Sequence, residues 1–162
     1  MTSKTDFDEE TWARIVRAPF VAGMAISVAD PGGPFEMGRE TMATLKAATN
    51  PPTREQLLTD VALDLQAITQ QHHNPLKGFK PTTGSPVGDQ VLEELRTVSA
   101  LVAAQAEPAE AEAFGRWLVQ VSQAAADAAK EGGFMGFKAE QVSDRERDML
   151  AKVEEAVTSK QG

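Results

Sequence analysis

Cysteine is absent from the 162 residues. That removes a disulfide framework, a thiolate metal site and a cysteine nucleophile together. Histidine is nearly absent too, with only His72 and His73. Neighbours on a helix point about 100° apart, so the pair shares one site only if the helix has ended before it. No HExxH occurs, and no glutamate stands three residues before either histidine, so both the zincin pattern and the Glu-x-x-His element of carboxylate-bridged di-iron bundles are missing. A GxSxG elbow, a P-loop and a GxGxxG turn are missing as well. Basic charge is in deficit: 16 lysines and arginines against 24 acids give a net charge of −8, which repels phosphate backbones and anionic lipid. Nucleic acid is excluded as a partner on that ground. Long hydrophobic runs are lacking, since Ala18 to Ala29 is broken by Pro19, Gly23 and Ser27. The start MTSKTDFDEETW has neither the basic opening nor the apolar centre of a signal peptide. No membrane insertion is expected, and the chain reads as soluble and cytoplasmic.

What is present is a chain of single-domain size, 41 % apolar before glycine is counted, which is enough to bury a core. Its apolar residues recur at helical spacing: Leu57, Leu58, Val61, Leu65 and Ile68; Val91, Leu95, Val98 and Val102; Phe114, Trp117, Leu118, Val121 and Ala125; Met149, Leu150, Val153 and Val157. Nothing alternates with period two over the length of a strand. Breaks fall at Pro31 to Pro34, at Asn50 to Pro52, over Asn74 to Gly88, at Pro108 and at Gly132 with Gly133. Thr53 with Gln56 and Ser143 with Glu146 have capping-box spacing. These signals predict an all-α, single-domain bundle of about six helices over residues 8–29, 36–49, 54–72, 87–106, 109–130 and 144–159. Pro19 is expected to kink or restart the first. Trp12 and Trp117 fall on apolar faces and read as core or interface residues.

Two stretches resemble each other. ADPGGPFEMGRE, residues 29 to 40, and EGGFMGFKAEQVSDRE, residues 131 to 146, both run from a helix end through Gly-Gly, phenylalanine and methionine to an adjacent arginine and glutamate. This is a weak internal pseudo-two-fold duplication. In each, the aromatic after Gly-Gly, Phe35 or Phe134, is of a type that plugs a core. Phe134, Met135 and Phe137 are expected to cover the base of the bundle, with Ser143 capping the last helix. Asp30, Glu36 and Glu40 are hard oxygen donors for calcium or magnesium if the loop gathers them. The competing reading makes Glu36 and Glu40 ordinary acids at the positive end of a helix.

A helix ending in Ala-Asp, a short glycine loop and a following helix that carries glutamate resembles the acidic loop of the TerB-like proteins, an all-helical family associated with tellurite resistance and stress response. The resemblance covers residues 29 to 40 and, less fully, 130 to 150. It implies an all-α domain with internal pseudo-symmetry and a carboxylate cluster suited to a divalent cation, with Asp30 and Glu40 from the first copy and Glu146 from the second. The family has Ala-Asp-Gly where this chain has ADPGG, and the second copy has Lys130 and Glu131 where the acid is expected.

The tract from Asn74 to Gly88 is the least helical part of the chain and reads as a mobile linker. Within it Lys77, Phe79 and Lys80 form a basic and aromatic cluster suited to an acidic ligand or partner. Three functional readings follow. The first is a small binding or regulatory protein, not an enzyme, that takes a divalent cation. The second is an enzyme with a polar pocket beside residues 74–88. The third is a structural subunit of a homo-oligomer, in which an apolar helix face meets a protein partner.

Overall fold

The computed structural model describes residues 1–31, 34–131 and 143–158. Gly32, Gly33 and the 132–142 stretch, with Phe134, Met135 and Phe137, lie outside the described residues, as do the side chains of Lys130 and Glu131. Six α-helices account for the fold: α1 (Glu9–Ala29), α2 (Pro34–Ala48), α3 (Gln56–Gln70), α4 (Val87–Gln105), α5 (Pro108–Glu131) and α6 (Asp144–Thr158). A short 3-10 turn, Lys4–Asp6, precedes them, and there is no strand among the described residues. The chain is an all-α bundle, as the helical periodicity predicts, and each boundary lies within two residues of the expected one.

Local chemistry sets the helix ends. Asp8 caps α1, accepting the Thr11 N–H at 2.7 Å and the Thr11 hydroxyl at 3.1 Å. Pro34 occupies the first position of α2, where a missing N–H costs nothing. At α6 the expected capping box is formed: Ser143 Oγ accepts the Glu146 N–H, and Glu146 accepts the Ser143 N–H. The box expected at Thr53 does not form, because α3 begins only at Gln56 behind Glu55, which leaves Thr53 two residues short of the cap position. α3 closes on His72, which holds the left-handed position with φ of 58° while the His72 and His73 N–H groups bond back to Thr69 and Ile68. Both histidines are exposed. α1 runs unbroken through the buried Pro19 and does not restart there.

α1 is the axis of the bundle. It packs against α4, α5, α2, α6 and α3, and from Ala18 to Ile26 only Met24 is not fully buried. It is also the one described helix long and apolar enough to cross a bilayer by composition, with 61 % of that window buried within the protein. α5 packs on α2, α1 and α6. Three polar ties lock these contacts: Trp117 Nε1 donates to the Ala47 carbonyl, Ser122 Oγ to the Ala22 carbonyl and Trp12 Nε1 to Asp64, at 2.9, 2.7 and 2.8 Å. Phe114 meets Trp117 edge to face at 6.2 Å.

Two glycines let helices approach. A Cβ on Gly23 of α1 would lie 2.8 Å from the Cβ of Thr44 on α2, so no rotation of Thr44 makes room. A Cβ on Gly115 of α5 would lie 3.0 Å from the Val157 carbonyl of α6. Gly23→Ala is therefore expected to push α2 outward and destabilise by about 1–3 kcal/mol, the range for overpacking a well-filled core. Urea titrations check this. Adding Thr44→Gly to Gly23→Ala should recover part of the loss despite the cost of a second helical glycine.

Candidate functional site

The acids singled out by the sequence stand at one corner of the bundle. Asp30 is the residue that ends α1, Glu36 lies in the first turn of α2, Glu40 one turn further on, and Glu146 in the first turn of α6. Gly88 at the start of α4 packs under the same corner, its α-carbon facing Met149 and Val28. The first turn of α6 thus brings Glu146 within electrostatic reach of the acids of α1 and α2.

Burial distinguishes the four. Glu40 is 1 % exposed and Glu146 is 5 % exposed, whereas Asp30 and Glu36 are half-buried. One carboxylate oxygen of Glu40 accepts from Ser27 Oγ of α1. The other, Oε1, is buried with no hydrogen-bond partner among the described residues. An unpartnered buried carboxylate oxygen carries a full desolvation cost unless the group is protonated or meets a cation. Burial raises the pKa of Glu40 most, the Ser27 hydrogen bond opposes it, and the charges of Glu36 and Asp30 raise it further. Burial likewise raises Glu146; its hydrogen bond from the Ser143 N–H opposes, and Asp30, Glu40 and Glu36 add to the rise. Glu40 and Glu146 therefore both lie in the field of Asp30 and Glu36.

Hard oxygen donors are the right type for calcium or magnesium, and the orphaned Glu40 oxygen faces the need such an ion would meet. No three acidic or histidine side chains among the described residues stand close enough to hold an ion as they are. Helix-start placement explains Glu36 and Glu146 electrostatically. It does not explain Glu40, which sits beyond the first turn and in the core. Phe35, expected to plug the core, is 87 % exposed, because the first turn of α2 carries it to the outer side.

Two cavities lie elsewhere, beside the expected linker. One, of about 380 Å³, is lined by α1 (Trp12, Val16, Arg17), α3 and the turn that follows it (His73, Pro75, Lys77). A second, of about 530 Å³, lies across Arg17 and is lined mainly by charged side chains of α1, α4 and the same loop. The segment itself is tied down at two points. Arg17 Nε donates to the Lys77 carbonyl at 3.0 Å, and Gln90 Nε2 reaches the Thr82 and Ser85 carbonyls, each at 2.8 Å. Leu76 and Phe79 pack on the core. Sequence reasoning singled out Lys77 and Phe79 but missed Arg17, whose neighbours are set by the fold and not by any local pattern. No family model, curated protein or solved structure matches the chain, so the site is read from its own geometry.

Proposed function

We propose that this is a small binding protein, without catalytic chemistry at this corner, whose acidic site takes a divalent cation of the calcium or magnesium class, in line with the TerB-like resemblance. The observation that carries the reading is Glu40, buried beside three further acids with one oxygen unpartnered. Glu40 and Glu146 would supply the buried oxygens, and Asp30 and Glu36 the half-buried ones. The ion would supply charge neutralisation and a hard-oxygen preference, binding α1, α2 and α6 together at their ends.

Protonation competes with the ion for the same oxygens. The pKa values of Glu40 and Glu146 are raised in the folded protein, so the protonated forms favour folding. That stability is present below the ordinary glutamate range and is lost as pH rises through the raised values. In the absence of divalent ions, the two glutamates should therefore make the protein less stable near about pH 7 than near about pH 5. Glu40→Gln should flatten that dependence in thermal melts taken across the interval.

Calcium or magnesium should raise the melting temperature of the wild type, and more at neutral pH than at acidic pH, because at low pH the ion must displace protons. Asp30→Asn and Glu40→Gln should each abolish the rise. Identical wild-type melts with and without millimolar ion at neutral pH would overturn the reading.

A second reading, assembly with a protein partner or a second copy, draws on α2. Phe35 and Met42 are 87 % and 64 % exposed one above the other on its outer side. The apolar face of α1 is already taken up by its own chain, so α2 is the helix that such contact would use. Light scattering of the wild type and Met42→Glu checks it: a dimer that the variant dissociates supports assembly, and a wild-type monomer at high concentration removes it.

A further inference from the structure

Arg17 lies about 20 Å along α1 from Asp30, at a rise of about 1.5 Å per residue, well away from the acidic corner. It is half-buried, and no carboxylate among the described residues forms an ion pair with it. Arg14, one turn away, has its own partner: its Nε and Nη2 each donate to Glu94 at 2.9 Å. The Nε of Arg17 is committed to the Lys77 carbonyl. Its terminal nitrogens remain as donors, with Nη2 packed against Gly78. Burial lowers its pKa most, the charge of Glu94 opposes this, and Arg14 adds to the lowering.

The cavity of about 380 Å³ that Arg17 lines is mostly apolar, with Arg17, Lys77 and Asp64 as the charged residues of its lining. Trp12, Val16 and Ile68 form the apolar wall, and Pro75 closes it from the turn after α3. Lys77 lines it beside Arg17. Asp64 is the acid in the lining, and its Oδ2 already accepts from Trp12 Nε1 at 2.8 Å and from Lys4 Nζ at 3.0 Å. The volume lies in the lower part of the range for small-molecule sites, about 300–1,000 Å³, where a mostly apolar lining holds the body and a few polar groups fix its orientation.

From this juxtaposition we infer that the cavity between α1, α3 and the turn at residues 73–77 binds a small amphipathic monocarboxylate, its alkyl or aryl body on Trp12 and Val16 and its carboxylate on Arg17 with Lys77. A guanidinium presents paired donors that match a carboxylate, and the apolar wall excludes water from the pair. The inference does not depend on cation binding at the acidic corner, which uses none of these residues.

The two tryptophans provide the readout, since Trp12 forms the wall and Trp117 is buried against α2 with its indole N–H on Ala47. Octanoate is the probe and octanol its uncharged counterpart, titrated against the full chain while the two indole N–H resonances are followed by NMR. Octanoate is expected to shift the Trp12 signal saturably and leave Trp117 in place. Octanol should bind at least about tenfold more weakly, the factor that corresponds to about 1.4 kcal/mol. Arg17→Gln should bring octanoate down to the level of octanol, and Arg17→Lys, which keeps the charge but not the paired donors, should keep only part of the preference. Lys77→Gln, which leaves the backbone anchor of Arg17 intact, should weaken octanoate several-fold and octanol little. Equal binding of both probes to the wild type, no saturable Trp12 shift, or loss of both probes in Arg17→Gln and Arg17→Lys alike would overturn the inference. In the last case Arg17 is a strut for the loop and not a ligand for the carboxylate.

Discussion

The structure depends on enclosing α1. A helix that is apolar around most of its circumference cannot lie on a surface; it must be surrounded, and the other five helices are arranged to do that. Each of those carries an apolar stripe toward the centre and charge outward, so none could form the core alone. Enclosure requires close approach, and Gly23 against Thr44 allows one. The same approach places α2 so that Glu40 lies against Ser27. The buried acid is thus a consequence of how α1 is covered.

Enclosure also decides what happens to the polar side chains that α1 does carry. Arg14 is half-buried and neutralised by a two-pronged contact with Glu94. Ser27 spends its hydroxyl on Glu40. Trp12 places its N–H on Asp64. Arg17 alone of this group has a neutral partner, a backbone carbonyl. The helix therefore has a cation with no direct ion pair among the described residues in its first half and a crowd of anions at its end. Neither arrangement maximises stability: burial, with the like charges adding to it, raises two pKa values at the corner, and burial lowers that of the Arg17 guanidinium. Locally unfavourable electrostatics in a small bundle are where ligand binding has the most to contribute, because an ion of opposite sign recovers what burial has cost.

The fold was legible because its signals are local. Leu57, Leu58, Val61 and Leu65 declare α3 by spacing alone, and Ser143 with Glu146 declares the start of α6. The misreadings arose where a local pattern had two structural outcomes. Phe35 has the type of a core plug, but α2 starts at Pro34 and its first turn faces outward. Thr53 has box spacing, but the chain turns into the helix only at Gln56. The acids were grouped only through the TerB-like resemblance: no spacing in the sequence requires Glu146 to stand near Glu40, and the packing of α6 beside α1 brings it there. Arg17 was not legible at all, because its distinguishing property is a hydrogen bond to a backbone carbonyl in place of an ion pair, which only the folded chain reveals.

Gly78 shows how tightly the loop and the cavity are linked. Its φ of 99° lies in the region that side chains avoid, and a Cβ there would also come within 3.0 Å of Cζ of Arg17. Two independent demands, one on the backbone and one on space, fall on one residue. The carbonyl that Arg17 bonds belongs to the residue just before it, so the turn that needs a glycine is also the turn that presents Lys77 to the guanidinium. Moving Arg17 would remove one of the loop's ties and leave those of Gln90, Leu76 and Phe79, whereas altering the turn would displace the carbonyl that Arg17 bonds. The tract that reads as a linker in the sequence is, between Asn74 and Phe79, a fitted wall: Leu76 and Phe79 anchor it to the core, while Pro75 and Lys77 face the cavity. Its proline and glycine content reflects the sharp path that this wall must follow around Arg17.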